Sequence, residues 1–131
     1  MRITVTSLPV SDQEHALDFY TSKVGFIIKS DIPLGGDNRW LTLVSPQDPD
    51  GIELLLEPNG EYPAMKALKA SLVKDGIPFT TFEVDDVKAE YTRLISLRIQ
   101  FSRGPTDMGD TVIAVFDDTC GNLIQMHQIA K

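Results

Sequence analysis

With 131 residues, 42% of them hydrophobic and 24% charged, the chain has the size and composition of one globular domain with a sizeable core. Its net charge of −7 works against a nucleic-acid partner, which would need a basic face for phosphates. A single cysteine, Cys120, excludes an internal disulfide, and no apolar run approaches the roughly 20 residues that span a bilayer. No basic start followed by an apolar stretch marks a signal peptide, so the expected location is the cytoplasm.

In chain order, Ile3 to Val10 alternates and is rich in β-branched residues, which predicts a strand. Ser11 and Glu14 have the spacing of a capping box, opening a helix over about Asp12 to Lys23 with Ala16, Leu17, Phe19 and Tyr20 on its apolar face. Gly25 ends that helix, and Phe26-Ile27-Ile28 starts the next strand. The run from Ile32 to Asn38, with Pro33, Gly35 and Gly36, reads as a turn or loop. Arg39 to Val44 and Ile52 to Glu57 are strands joined by a polar turn. A helix from Pro63 to Lys74, with proline at its start and Gly76 beyond its end, follows. Phe79 to Val84 is again a strand, about Asp86 to Leu97 a helix, and Ile99–Ser102, Thr111–Phe116 and Leu123–Ile129 are strands.

The order is βαβββ, linker helix, βαβββ. Three matches in the same order support a duplication with a separation of about 70–75 residues. Val10-Ser11-Asp12 pairs with Val84-Asp85-Asp86, and Gly36-Asp37 with Gly109-Asp110. Asp50-Gly51-Ile52-Glu53 pairs with Gly121-Asn122-Leu123-Ile124-Gln125, give or take a residue.

These residues carry a resemblance. Val10-Ser11-Asp12 through Ala16, Phe19-Tyr20, Val24-Gly25-Phe26, Gly51-Ile52-Glu53-Leu54 and the closing Phe116 to Gln125 resemble the vicinal oxygen chelate superfamily of glyoxalase I, bleomycin-resistance proteins and extradiol dioxygenases. The resemblance covers essentially the whole chain. It implies an α+β fold in which two tandem βαβββ modules form a curved mixed sheet around a concave cavity, commonly completed in a homodimer. The implied organisation is one domain, with module one about 1–58, the linker helix about 63–75 and module two about 77–131.

Metal-dependent members take one ligand from the first and one from the last strand of each module. Carried onto this chain, that pattern falls on Val5, Glu53, Phe79 and Gln125. Glu53 matches the usual carboxylate and Gln125 replaces the other, while Val5 and Phe79 stand where histidine is usual. No metal and no other cofactor is therefore expected, since a divalent site needs several oxygen or nitrogen donors.

Strand alternation predicts which side chains would line the cavity that the resemblance implies. Glu53, Leu55 and Glu57 share one face; Leu123, Gln125, His127 and Ile129 share another; Phe79, Thr81 and Glu83 oppose Thr80, Phe82 and Val84. Val5, Leu55 and Phe79 are the expected walls, with Ser7, Glu53, Thr81, Gln125 and His127 as polar points. Such a lining suits a small organic ligand. Glu53 reads either as a general base or ligand anchor, or as a partly solvated carboxylate bonded to backbone or to Gln125. His127 is a displaced donor that could revive a metal pair with Glu53, or a solvated edge residue. Trp40 stacks on a planar ligand with Arg39 beside it for a carboxylate, or packs in a core or dimer interface. His15 reads as a surface residue, and the thiolate of Cys120, among acidic neighbours, is disfavoured.

The expected function is binding of a small molecule, such as drug or metabolite sequestration, without a metal. The alternative is a lyase, isomerase or dioxygenase with an atypical metal site or with Glu53 as a metal-free base. Whether the chain is an enzyme stays open at this point.

Overall fold

A computed structural model describes residues 1–129. The chain divides into two compact units, with the boundary between Ala67 and Leu68. Each unit carries one βαβββ module and one four-stranded mixed sheet.

In the first unit, strand β1 (Val5–Pro9) is followed by helix α1 (Gln13–Phe19) and a π-helical turn over Tyr20–Val24. Strands β2 (Ile27–Gly35), β3 (Asn38–Val44) and β4 (Glu53–Glu57) complete it, in the sheet order β1-β4-β3-β2. Only β1 and β4 run parallel, as expected when a crossover helix separates the two strands of a pair. The capping box expected at Ser11 is not what forms. Asp12 is the cap, its carboxylate accepting the His15 N–H at 3.0 Å, and Glu14 instead reaches Arg39 at 2.6 Å. The predicted span to about Lys23 is helical, but from Tyr20 onward it is π-helical rather than α-helical. The Gly25 N–H bonds to Tyr20 O at 3.0 Å, and Gly25 closes the turn at φ 99°, a conformation glycine adopts without strain.

The core of this unit lies between α1 and the sheet. Leu8, Ala16, Tyr20, Leu41, Leu43 and Leu56 are fully buried. A buried polar residue, Gln13, fixes the helix to the strands. Its Nε2 donates to Arg39 O at 2.8 Å and Leu56 O at 2.7 Å, while its Oε1 accepts the Arg39 N–H at 3.0 Å. All the bonding capacity of an amide used here is matched, which is what makes burial of the group tolerable. The expected loop at Ile32–Asn38 is mostly strand. β2 is an edge strand, where the missing N–H of Pro33 removes no essential ladder bond, and the chain reverses only at Gly35 (φ 97°) and Gly36 (φ 58°).

Helix α2 (Pro63–Lys74) carries the chain from one unit into the next. In the second unit, β5 (Thr80–Glu83), α3 (Val87–Ser96), β6 (Phe101–Asp107), β7 (Thr111–Asp117) and β8 (Leu123–Ile129) repeat the scheme, in the sheet order β5-β8-β7-β6. Asp86 caps α3 through Ala89 N–H at 3.1 Å, and the Gln128 side chain accepts the Val87 N–H at 2.5 Å. Val87, Leu94, Ala114, Phe116, Ile124 and Met126 form the core, with Tyr91 edge-on to Phe101 at 4.7 Å. Strand β6 runs on to Asp107, past the expected end at Ser102, because the sheet edge accommodates Gly104 and Pro105 through register shifts.

The turn between β7 and β8 is built on a buried carboxylate. Asp118 Oδ1 accepts the N–H groups of Cys120 at 2.8 Å and Asn122 at 3.0 Å, and Oδ2 accepts from Asn122 Nδ2 at 3.1 Å. Lys69, only 6% exposed, donates its ammonium to Cys120 O at 2.7 Å. Gly121 sits at φ 85°, where a Cβ would come within 3.2 Å of the Lys69 side chain.

Candidate ligand site on the sheet faces

Partners opposite one another in register share a face of the sheet. In the first unit, Val5 lies opposite Glu53 and Ser7 opposite Leu55, and Leu55 lies opposite Thr42. Trp40, two residues before Thr42, joins that face and is half-buried. The Thr42 hydroxyl donates to Glu53 Oε1 at 2.6 Å, so one Glu53 oxygen is held against β3. Glu53 is therefore bonded to a neighbouring side chain, Thr42, which sequence reasoning did not single out. Strand alternation from Trp40 would have found it.

Arg39, beside Trp40, is taken up by its own module. Its guanidinium forms a bidentate pair with Asp31 (3.0 and 2.8 Å) and a third bond to Glu14 at 2.6 Å. The bonds hold the Asp31 carboxyl below its usual range and raise Arg39 further above its own. Pairing with a ligand carboxylate would require breaking these contacts.

In the second unit, Thr81 lies opposite Gln125, and Glu83 and Ile113 lie opposite His127. This face lines an open pocket of about 520 Å³, bounded by Thr81, Asp110, Thr111, Ile113, Gln125, His127 and Ile129. Three of the expected polar points meet here. Thr81 Oγ1 lies 2.9 Å from His127 Nδ1, Gln125 Nε2 donates to Thr81 Oγ1 at 3.4 Å, and His127 Nε2 lies 3.8 Å from Glu83 Oε1. Asp110, Thr111 and Ile113 were missed as lining residues. Asp110 belongs to the Gly109-Asp110 turn of the duplicated pattern, and Ile113 is read as lining once β7 is set in register with His127.

The register also corrects one equivalence. Val10 N–H donates to Glu57 O and Val84 N–H to His127 O, both at 2.8 Å, so these are matching positions of the two modules. Stepping back along the final strands, Gln125 matches Leu55 and Glu53 matches Leu123. Ser7 opposite Leu55 and Thr81 opposite Gln125 say the same. Glu53 and Gln125 are thus not counterparts. A shift of two residues leaves every side chain on its own face, so alternation cannot detect it. Phe79, matching Val5, lies just before β5, with its N–H bonded to Leu123 O at 2.8 Å.

The donor set does not fit a metal of the kind the resemblance implies. Val5 and Phe79 are hydrocarbons, Gln125 is a neutral amide engaged with Thr81, and Glu53 alone offers a carboxylate. Among the described residues no three His, Cys, Asp or Glu side chains cluster as a metal site. His15 lies exposed on α1, its backbone N–H serving the helix cap. Burial pushes the Cys120 thiol up to about 12, with the Asp118 carboxylate adding to the effect, in keeping with an unreactive thiol. Among the described residues no helix is long and apolar enough to cross a membrane.

Comparison with known proteins bears on both scaffold and site. The chain is 56% identical to the Bacillus subtilis protein YurT over 128 residues, covering 98% of this chain and 99% of YurT. Among solved structures, UcmS2 superposes with a TM-score of 0.80 at 28% identity, covering 97% of each chain. TnmS3, an antibiotic binding protein from Streptomyces sp. CB03234, superposes with a TM-score of 0.76 at 30% identity, covering 99% of this chain and 97% of its own. The α+β arrangement of two βαβββ modules, each with its four-stranded sheet, is the fold of these proteins. The profile of the Glyoxalase/Bleomycin resistance protein/Dioxygenase superfamily matches residues 2–126, and the chain belongs to that superfamily.

Proposed function

We propose that this protein binds a small organic molecule and sequesters it without chemical change. The observation that carries the reading is the pocket of about 520 Å³ on the module-two sheet, lined by a hydrogen-bonded row of Gln125, Thr81 and His127 together with the hydrocarbon of Ile113 and Ile129. A few directional polar groups within an apolar wall are what orient a small ligand. Similarity to an antibiotic binding protein supports the same reading, and antibiotics or other planar metabolites are the ligand class to try first. On the module-one sheet face, Val5, Ser7, Trp40, Glu53 and Leu55 are proposed as ligand contacts, with Glu53 as an anchor steadied by Thr42, and Phe79 is proposed as one on module two.

The protein is proposed to work without a metal, as a homodimer, in the cytoplasm. The family resemblance supports the dimer, and a single shielded cysteine suits a reducing compartment. A monomer in sedimentation at micromolar concentration contradicts the dimer.

The test is a thermal-shift screen of antibiotics and aromatic metabolites, followed by mass spectrometry of the recovered ligand. A binder of the folded state must raise the unfolding midpoint by mass action. Stabilising compounds recovered intact support sequestration. Conversion to product that disappears in Glu53→Gln replaces it with the enzymatic alternative, in which Glu53 is the base.

A further inference from the structure

The polar row in the module-two pocket has a direction, and that direction selects a ligand. Glu83 Oε1 lies 3.8 Å from His127 Nε2. A carboxylate facing an imidazole nitrogen favours a proton on that nitrogen rather than a lone pair, so the neutral ring carries its hydrogen on Nε2. Nδ1 is then an acceptor, and its neighbour at 2.9 Å, Thr81 Oγ1, must donate to it. With its only hydrogen committed, the Thr81 oxygen accepts, and the group that can donate to it is Gln125 Nε2, at 3.4 Å. The amide is thereby oriented, and Gln125 Oε1 is the end left for a ligand. The reverse amide orientation would leave two oxygens facing each other across the Thr81 contact.

The other polar groups of the lining point the same way. Thr111 spends its hydroxyl hydrogen on Gln128 O at 2.6 Å. Asp110 is the one carboxylate among the lining residues, and no lysine or arginine accompanies it. Apart from the His127 Nε2–H, which faces Glu83, and the second N–H of Gln125, the pocket therefore offers acceptors and negative charge, with Ile113 and Ile129 for an apolar body. From this relay we infer that the site takes an amphipathic cation: a molecule with a protonated amine or similar charged N–H donor on an apolar or aromatic frame. Its donor meets Gln125 Oε1, and its charge is balanced by Asp110. Glu83 acts as a positioning residue that sets the tautomer of His127 and, through Thr81, the orientation of Gln125.

The inference rests on the sequestration reading and specifies its ligand class. The experiment is the thermal-shift screen run with matched sets of naphthyl compounds: naphthylmethylamine, naphthylmethanol and naphthoate, with larger aromatic amines, alcohols and acids alongside. The expected result is a larger midpoint rise with the amines, at least about tenfold tighter than the acids in titration, a preference that added salt and Asp110→Asn both reduce. Ring-nitrogen NMR of His127 should show Nε2 protonated and Nδ1 unprotonated, and Glu83→Leu, at an exposed position, should mix the tautomers and weaken amine binding. Equal binding of all three classes, tighter binding of the acids, or an Nδ1-protonated ring overturns the inference while leaving sequestration standing. Hits in none of the three classes overturn both.

Discussion

The Cys120 thiol lies in a turn where burial, more than any neighbour, raises its pKa, pushing it up to about 12 from an ordinary 9.0, with the Asp118 carboxylate adding to the shift. Below the lower value the thiol is neutral whether the chain is folded or not. Between the two values the unfolded chain releases the proton and the folded chain keeps it, so stability is lost as pH rises through that window. Two measurements check this. Native protein should resist iodoacetamide at about pH 8 while the urea-unfolded chain is alkylated. Cys120→Ser should remove part of the loss of stability seen between about pH 8.5 and about pH 11 in urea titrations. Rapid alkylation of the native protein would mean the turn opens far more readily than its buried hydrogen bonds suggest. The sequence already pointed to a disfavoured thiolate, because acidic neighbours are visible in it. The larger contribution, burial, is not, since it depends on helix α2 and on Asp118 being fully enclosed.

Elements differ in how well local pattern reveals them. The strands of both sheet centres were legible, because β-branched and apolar residues alternate there and turns bearing glycine bound them. The second half of strand β2 was not, because Pro33, Gly35 and Gly36 are turn residues by habit, and only its place at the sheet edge makes proline acceptable in a strand. Lys69 was equally hidden. A lysine within an amphipathic helix reads as solvated, yet here its ammonium bonds to the Cys120 carbonyl in a turn far along the chain. A hydrogen bond to a charged donor contributes about 1.5–3 kcal/mol, and removing the donor leaves a carbonyl unsatisfied. Lys69→Met should therefore destabilise the protein by about 2 kcal/mol in urea unfolding, with the β7–β8 turn losing amide-exchange protection before the sheet does. Gly121→Ala should cost about 1–3 kcal/mol through its left-handed backbone and the crowding of Lys69. By contrast, Arg39→Ala removes only exposed ion pairs of the first module and should change stability by less than about 1 kcal/mol. A loss at Arg39 as large as at Lys69 would show that burial is a poor guide in this chain.

At the scale of the whole molecule, one backbone plan carries two different chemistries. The duplication was legible because strand-to-helix junctions and glycine turns recur in order, and it led to the fold. Which side chains correspond was not legible, since Glu53 and Gln125 lie two residues out of step on faces that alternation cannot distinguish. In register, Ser7, Leu55 and Glu57 of the first module answer to Thr81, Gln125 and His127 of the second, so only the second has an amide and an imidazole linked through a hydroxyl. This asymmetry bears on metal binding, because the family pattern requires a donor from each strand position and two of those positions hold Val5 and Phe79. Mass action supplies the test: a metal present at about 100 times its dissociation constant would stabilise the fold by about 2.7 kcal/mol. Zinc, nickel, manganese and iron(II) should each leave the unfolding midpoint of this protein unchanged, and the purified protein should carry no stoichiometric metal. The informative comparison is Val5→His, which sets an imidazole opposite Glu53 in the first module without altering strand register. If hydrocarbon at that position is what prevents binding, the variant gains a metal-dependent rise in its midpoint that Glu53→Ala removes. A rise in the unsubstituted protein, lost on Glu53→Ala, would instead mean that Glu53 recruits donors from outside the family pattern.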